Sequence, residues 1–453
     1  MSRTYLLKPS IVLLFFILLV GCHRRNRAFD EPAREAALLH AAETELTEVM
    51  VYDIFAPPVA SRIYAYSTLA AYEAVRFERP GFQSITARLR GFEPMPRPEQ
   101  KKVIDFSLAS LTAFCEVAKV LVFSTDRIDD YEAKIQIDYE TTGLDQQVML
   151  NSIAYGKKIA LTVLNRAAKD RYKETRGMPR YTVENKDGIW KPTAPDYMDA
   201  VEPNFGKITP FILDSAGQFK PAGPYLYSLN KNSAYYRDLI EVYNTSLHAG
   251  SEQQEQAAFW DCNPYVAHHT GHLMLASKKI SPGGHWIGIT GIACKQIQAD
   301  LPRSAFLYSW VSVAMFDGFI SCWQAKYETR TVRPETVIEE KIDPSWRPLL
   351  QCPPFPNYPS GHSVISAAAA AVLTHLLGPN FTYTDSVERA YGLPARKYNS
   401  FEKAAQEAMI SRMYGGIHER KACTDGFQEG EAIGKLVIRK NHLHRVNLRY
   451  QQK

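Results

Sequence analysis

Three short segments in the last third of the chain carry side chains that together suit a tetrahedral oxyanion. They are Lys326 with Arg333, the segment Pro359–His362 (PSGH), and Arg412 with His418. Lys and Arg cations and backbone amides are the usual partners of a phosphate-like anion, and two imidazoles can transfer protons or bond to its central atom. The residue types therefore predict an oxyanion site with acid–base chemistry before any fold is assumed.

The PSGH segment predicts the start of a helix that faces the anion. Ser360 precedes the alanine-rich stretch Ser366–Ala371, so it is expected to cap a helix whose free amides and positive dipole end bind negative charge. Gly361 lets the backbone approach the anion closely. His362 then falls in the first turn, where a general acid or base is needed. A capped helix with an incidental histidine is the alternative.

The other two segments place their cations at helix ends. Lys326 and Arg333 are seven residues apart, which predicts two turns of helix with both head groups on one face. Pro334 sets Arg333 at the end of that helix. Arg412 falls at the end of another predicted helix, where two glycines break the helix and allow the chain to present His418 back toward Arg412.

Helical periodicity dominates the elements that must position these side chains. No segment shows sustained alternation and no repeat is found, so the predicted class is all-α. A proline- and tyrosine-rich stretch, about 171–225, predicts a long ordered loop. The chain is then expected to have an N-terminal helical half that ends with this loop (31–225) and a C-terminal catalytic bundle (226–453), with one core shared by both. The predicted helices span about 35–50, 57–74, 98–122, 127–140, 146–170, 233–247, 250–262, 264–278, 286–298, 303–329, 361–377, 401–414 and 424–438.

The N-terminus predicts export and a lipid anchor. A short cationic stretch leads into the apolar run Ile11–Val20, which is too short for a comfortable membrane span and fits the signal peptide predicted over 1–21. Leu19–Cys22 resembles the lipobox of bacterial lipoproteins, in which the cysteine is lipidated. His23 after Cys22 favours the outer membrane by that resemblance, and residues 22–30 are expected to be a polar tether.

Composition limits the remaining possibilities. The chain is 45% hydrophobic and 22% charged, which is typical of a globular protein, and a dispersed net charge of +5 does not indicate a nucleic-acid partner. The six cysteines besides Cys22 include no closely spaced pair that would indicate a metal site. Cys352 and Cys423 flank the predicted site, so a disulfide between them is an open alternative. His268 and His272 have helical i,i+4 spacing but no metalloprotease glutamate between them, which favours structural histidines over a metal pair.

In this order the three segments resemble the vanadium-dependent haloperoxidase and type 2 phosphatidic acid phosphatase superfamily. The similarity extends to Met315–Lys326, which carries Asp317 and, three residues before the lysine, Trp323. It also includes Phe355–His362, which resembles the chloroperoxidase-type approach to the catalytic histidine. The strong similarity covers about 302–435 and lies with the soluble haloperoxidase-like branch, since the lipid phosphatases place these motifs between transmembrane helices.

The resemblance implies a role for each motif residue. His362 would be the acid–base group, and His418 would bond vanadium through Nε2 or attack phosphorus. Trp323 and Phe355 would line the halide or substrate pocket, with core aromatics as the alternative. The groups that would hold the equatorial oxygens of vanadate or phosphate are Lys326, Arg333, Ser360, Gly361 and Arg412.

One position departs from the family pattern. The family usually has an aspartate four residues after the last histidine, where this chain has Ala422. Without that carboxylate His418 would be less well oriented and less basic. Asp425 lies further along and would substitute only with a different backbone.

Three functions follow as alternatives. The first is a vanadate-dependent haloperoxidase that oxidises a halide such as bromide or chloride with hydrogen peroxide, favoured by Trp323, Phe355 and the soluble helical half. The second is an acid phosphatase that hydrolyses a phosphomonoester through a phosphohistidine at His418. The third is a surface lipoprotein that binds an oxyanion or glycan without turnover, which Ala422 would favour. The membrane is expected as a partner only through the lipid anchor.

Overall fold

The computed structural model describes residues 31–194, 196–270, 273–276 and 278–444, and its elements are almost all helices. The predicted all-α class is confirmed. The predicted signal peptide, the predicted lipidation site Cys22 and the predicted tether lie outside the described residues. The helices are α1 Glu31–Tyr52, α2 Pro57–Val75, α3 Phe106–Leu121, α4 Thr125–Thr141, α5 Gln146–Ala168, α6 Tyr172–Arg176, α7 Ala234–Leu247, α8 Ser251–Phe259, α9 Pro282–Gln296, α10 Leu301–Thr329, α11 Pro334–Lys341, α12 Gly361–Leu377, α13 Phe401–Tyr414 and α14 Arg420–Lys440.

Two short antiparallel hairpins interrupt the helices. Strand β1 (Ala267–Thr270) pairs with β2 (Leu273–Ala276), and β3 (Tyr383–Asp385) pairs with β4 (Arg396–Tyr398). The helix predicted over about 264–278 is therefore wrong. Its apolar residues form two runs of about four separated by a glycine, and periodicity cannot assign runs that short to helix or strand. Of the two histidines considered at helical spacing, His268 lies in β1 and His272 lies outside the described residues.

Helix α10 is the centre of the largest apolar core, beside which the described residues form two small apolar clusters. It packs against α1, α2, α9, α12 and α14, so the core crosses the predicted division between the two halves of the chain. Within the described ranges, α10 alone is long and apolar enough to cross a membrane, with a hydropathy of 1.4, but 94% of that window is buried inside the protein. Burial of this kind is typical of the central helix of a bundle.

A stripe of glycines brings α14 against α12. At Gly430 an added Cβ would lie 2.0 Å from the carbonyl oxygen of Val364, and at Gly434 it would lie 2.7 Å from the Cβ of Ala371. The two backbones can approach this closely only because the intervening side chains are absent. Since α12 begins with the PSGH motif and α14 directly follows His418, this contact sets the distance between two of the three predicted motifs.

A buried carboxylate anchors the proline-rich segment. Asp317 in α10 accepts hydrogen bonds from the backbone N–H groups of Phe211 (2.7 Å), Ile212 (2.7 Å) and Leu213 (2.9 Å). Three bonds to one carboxylate compensate for its burial. The loop is thereby fixed to the helix that carries Lys326.

Candidate active site

The first motif forms the N-terminus of α12. The Ser360 hydroxyl accepts a hydrogen bond from the Ser363 N–H at 3.4 Å, and the Ser360 N–H donates to the Ala422 carbonyl at 2.9 Å. Gly361 lies beneath Trp323, where an added Cβ would meet the indole ring at 3.5 Å and narrow the space above the helix end. The predicted capped helix is present over its predicted length.

His362 occupies the first turn of α12 as predicted. Its ring is hydrogen-bonded to the backbone of Trp260, and its Nε2 is buried with no hydrogen-bond partner among the described residues. Burial, followed by the positive charge of Arg412, lowers the pKa of His362 well below its usual value. The ring is therefore a neutral imidazole at neutral pH, with one nitrogen free for a ligand.

Lys326 and Arg333 meet at one aromatic ring, although they do not share a helix face. Helix α10 ends at Thr329, Arg330 takes a left-handed conformation (φ 52°), and Arg333 is the extended residue before α11. The prediction of a continuous two-turn helix is wrong, because the break comes before Pro334 and not at it. Both cations lie 5.1 Å from the centroid of Phe355.

The hydrogen bonds of these two cations run to backbone carbonyls. Lys326 Nζ donates to the carbonyls of Pro356 (2.8 Å) and Asn357 (2.9 Å), and Arg333 Nε donates to Phe355 at 3.1 Å. Arg333 Nη2 is buried and has no partner among the described residues. Burial, with Arg333 nearby, lowers the pKa of Lys326 to about 7. An anion would relieve this accumulation of positive charge.

The third motif turns back as the glycines predict. Helix α13 ends at Gly415, and Gly416 has a φ of 78°, a conformation that favours glycine. The Ile417 N–H then donates a hydrogen bond to the Arg412 carbonyl at 3.1 Å. Arg412 is fully buried, and its Nη2 donates to the carbonyl of Ala257 at 3.2 Å. The turn places His418 beside the other cations.

The orientation of His418 is set by two residues that sequence reasoning missed. Its Nδ1 lies 2.6 Å from Oδ1 of Asn357, whose Nδ2 is hydrogen-bonded to a carboxylate oxygen of Glu419. The Asn357 oxygen can only accept, so Nδ1 of His418 carries the hydrogen and Nε2 carries the lone pair. Nε2 accepts a hydrogen bond from Arg333 Nη1 at 3.2 Å. Glu419 directly follows His418, and Asn357 lies three residues before Ser360. Their positions next to the motifs are the sequence signal that could have identified these two residues.

The expected substitute for the missing family aspartate does not reach the histidine. Asp425 instead accepts from the Tyr358 hydroxyl at 2.5 Å and from Lys421 Nζ at 2.6 Å. Ala422 is buried, and its carbonyl accepts the hydrogen bond from the Ser360 N–H at the N-terminus of α12. The polar partner of His418 therefore comes from the segment before α12.

Two aromatic side chains complete the pocket. Trp323 and Phe355 have ring centroids 5.0 Å apart, and the indole N–H of Trp323 donates to the carbonyl of Val201 at 3.2 Å. Both rings belong to the apolar core and also line the pocket that contains Gly361, His362, Arg412 and His418. The two rings therefore lie both in the core and at the pocket, and their role in binding halide or substrate stays a prediction.

The cysteines are all free thiols in the described part of the chain, so the disulfide considered between two of them does not form. They are Cys115, Cys262, Cys294, Cys322, Cys352 and Cys423.

These residues fit a vanadate group. Three buried cations surround two neutral imidazoles at a helix N-terminus, and two buried nitrogens, Arg333 Nη2 and His362 Nε2, lack partners among the described residues. A tetrahedral oxyanion supplies acceptors for unpaired donors and negative charge for the cations. His418 Nε2 offers a lone pair of the kind that bonds a metal centre.

Comparison with known proteins defines the class: the chain belongs to the vanadium-dependent haloperoxidase family and is a haloperoxidase-like oxidoreductase. A solved structure described as the first bacterial vanadium-dependent iodoperoxidase matches with a TM-score of 0.86 and 45% sequence identity, covering 91% of this chain and 98% of that chain. The family model of the VCPO second helical-bundle domain matches residues 306–446.

More distant structures show the same fold. The holo form of a bacterial vanadium-dependent chloroperoxidase matches with a TM-score of 0.66 and 17% identity, covering 86% of this chain and 93% of that chain. The apo form of a bacterial vanadium-dependent chloroperoxidase matches with a TM-score of 0.64 and 15% identity, covering 86% and 94%. A search of curated protein sequences gives no match.

Proposed function

We propose that the protein is a vanadate-dependent iodoperoxidase, which oxidises iodide with hydrogen peroxide. The observation that carries the proposal is the contact between His418 Nδ1 and Asn357 Oδ1, because it leaves the lone pair on Nε2. That lone pair lies among three buried cations and accepts from Arg333 Nη1 at 3.2 Å, a hydrogen bond that a bond to vanadium would replace. The 45% identical relative, described as an iodoperoxidase, supports the choice of halide.

Each residue of the site has a distinct task in this proposal. His418 would hold vanadate through Nε2, and the bound group would supply Lewis-acid activation of hydrogen peroxide. His362, neutral because of its lowered pKa, would accept a proton from peroxide at Nε2. It would return that proton to the peroxide oxygen that leaves as water, while the other oxygen passes to iodide and gives hypoiodite. The groups proposed to neutralise and orient the oxyanion are Lys326, Arg333, Ser360, Gly361 and Arg412.

The aromatic wall supports iodide as the substrate. Trp323 and Phe355 present apolar faces to the pocket, with Lys326 behind Phe355. A large, weakly hydrated and polarisable anion loses less on leaving water for such a surface than a small, strongly hydrated one. Iodide is also the most easily oxidised of the three common halides.

The test compares three halides in one vanadate-loaded preparation. Tag-free protein is stripped of bound anions, incubated with or without orthovanadate, and assayed with peroxide and iodide, bromide or chloride, and separately with p-nitrophenyl phosphate. We expect vanadate-dependent oxidation with kcat/KM for iodide at least about tenfold above that for bromide, a difference of about 1.4 kcal/mol in the barrier. Faster bromide oxidation contradicts the halide assignment, and phosphate ester hydrolysis without halide oxidation supports the acid phosphatase.

Substitution of the histidine tests its role directly. His418→Ala is expected to abolish both vanadate binding and halide oxidation. His375→Ala is a matched control, because His375 lies at the far end of α12, where its Nε2 is 2.7 Å from the carbonyl oxygen of Leu443. Full oxidation by His418→Ala would contradict the assigned role.

We further propose that the enzyme is anchored by lipid at Cys22 in the bacterial cell envelope, on the outer membrane. The support is the lipobox-like Leu19–Cys22 segment followed by His23. Cys22→Ala should move the full-length protein from the membrane fraction to the soluble fraction or halt its processing. An unchanged membrane fraction, with no lipid on Cys22 by mass spectrometry, contradicts the proposal.

A further inference from the structure

A second group of metal-binding side chains lies next to the pocket. Cys262, His285 and Glu388 are each buried, with exposures of 1%, 0% and 6%. His285 Nδ1 lies 3.0 Å from Glu388 Oε1 and 3.5 Å from Cys262 Sγ, and Cys262 Sγ lies 3.8 Å from Glu388 Oε1. Thiolate, imidazole and carboxylate are the three side-chain ligands that zinc takes in proteins.

The separations match those of a tetrahedral zinc ion. Zinc bonds of about 2.3 Å to sulfur and about 2.0–2.1 Å to nitrogen and oxygen, at tetrahedral angles, put nitrogen and oxygen about 3.3 Å apart and sulfur about 3.6 Å from either. The observed separations of 3.0, 3.5 and 3.8 Å lie within about 0.3 Å of these values. An ion could therefore bind with little movement of the ligands.

A fourth residue completes the usual arrangement around a metal-bound histidine. His285 Nε2 lies 2.9 Å from Oδ2 of Asp385, which is also fully buried. A metal-bound histidine nearly always gives its other ring N–H to a carboxylate or carbonyl, which fixes the tautomer and raises the basicity of the bonded nitrogen. With an ion bound, that contact would hold the hydrogen on Nε2 and leave the Nδ1 lone pair facing Cys262 and Glu388.

We propose that Cys262, His285 and Glu388 bind one zinc ion, with Asp385 orienting His285 and water as the fourth ligand. The thiolate favours zinc over magnesium or calcium. Glu388 lines a cleft that also includes Lys279 and Tyr391, which gives the ion a path from the surface. This site is separate from the vanadate ligands, although Cys262 also lines the vanadate pocket.

The zinc ion would hold together three segments, one of which follows the contact between Trp260 and His362. Cys262 follows α8, His285 is in α9, and Glu388 lies in the short 3-10 helix that follows β3. The ring of His285 stacks on Trp260 with centroids 4.4 Å apart, and the backbone of Trp260 bonds the ring of His362. The ion would therefore be a positioning element for the acid–base histidine.

Metal content is the first test. Tag-free full-length protein is loaded with zinc, passed through gel filtration and analysed by mass spectrometry of its metals, with and without orthovanadate. We expect close to one zinc per chain in both cases, and at least about tenfold weaker zinc binding in Cys262→Ala and Glu388→Gln. Cys294→Ala is the matched control, because Cys294 is also a buried thiol but lies in α9, outside the cluster.

Cobalt substitution tests the thiolate ligand independently. Cobalt-loaded wild-type protein should show the charge-transfer absorption of a cobalt–thiolate bond, which Cys294→Ala and His418→Ala should keep and Cys262→Ala should lose. If Cys262→Ala does not fold, the wild-type spectrum and the Glu388→Gln titration still decide the question. Absence of bound zinc and of the cobalt–thiolate band in the wild type, or equal zinc in Cys262→Ala, overturns the proposal and leaves a hydrogen-bonded cluster.

Discussion

Replacement of Asn357 by leucine should weaken vanadate binding while the three cations stay in place. Asn357 Oδ1 accepts from Nδ1 of His418 at 2.6 Å, and Glu419 fixes the amide orientation from the other side. Leucine has the same number of side-chain heavy atoms and the same branching at Cγ, but no acceptor. The buried Nδ1–H is then left without an acceptor, and the donor Arg333 Nη1 alone favours the lone pair on Nε2. The ring therefore loses the contact that fixes its orientation for binding.

The magnitude follows from the loss of one buried acceptor. A buried N–H without a partner costs about 1–3 kcal/mol. Removal of the outer partner of a metal-bound histidine lowers metal affinity about 10- to 100-fold, which is about 1.4–2.7 kcal/mol. We therefore expect the dissociation constant of vanadate to rise by about 10- to 100-fold in Asn357→Leu.

The assay is calorimetric titration of stripped protein with orthovanadate, paired with the vanadate concentration that gives half-maximal halide oxidation. Tyr358→Phe is the matched control, because it removes the bond to Asp425 in the same segment without touching His418. It should bind vanadate like the wild type. Wild-type affinity in Asn357→Leu, or an equal loss in Tyr358→Phe, would refute the orienting role of Asn357.

Three further predictions concern packing and charge. Gly430→Ala should lower the free energy of unfolding by at least about 1–3 kcal/mol because its Cβ would meet the Val364 carbonyl at 2.0 Å, whereas Gly217→Ala, with open space around it, should not; thermal unfolding distinguishes them. Because the pKa of Lys326 is lowered to about 7, vanadate binding above that pH must take up a proton. As the pH rises above about 7, the wild type should therefore lose up to about tenfold more vanadate affinity per pH unit than Lys326→Met. Parallel slopes of vanadate affinity against pH in the two proteins would disprove this. Burial raises the pKa of Glu429 to about 8, so its favourable contribution to the free energy of unfolding is complete below about pH 4.5 and is lost as the pH rises to about 8. Glu429→Gln should therefore lose less stability between about pH 5 and pH 8 than the wild type. Equal losses in melting temperature over that range would contradict this.

The elements that carry the motifs could be predicted because their signals are local. Ser360 before an alanine-rich run specifies where α12 begins, and the glycines after Tyr414 specify where α13 ends. The hairpin at 267–276 could not be predicted, since two four-residue runs contain too little periodicity. Helix α11 was also missed, because its eight residues are short and polar.

The partners of the proposed catalytic side chains depend on contacts between distant segments. Asn357 reaches His418 across 61 positions of sequence, and the approach depends on the glycine stripe between α12 and α14. Lys326 and Arg333 meet because the chain turns at Arg330, a left-handed residue that no local pattern marks. The type of side chain at each site position followed from the sequence, whereas the hydrogen bonds that set its protonation state did not.

A crystal structure of the protein soaked or grown with orthovanadate tests the central claim most directly. It should show vanadium bonded to His418 Nε2, with Arg333 Nη2 and His362 Nε2 at hydrogen-bond distance from its oxygens and Asn357 still on Nδ1. Vanadate bound elsewhere, or bonded through Nδ1 with Asn357 displaced, would contradict the claim.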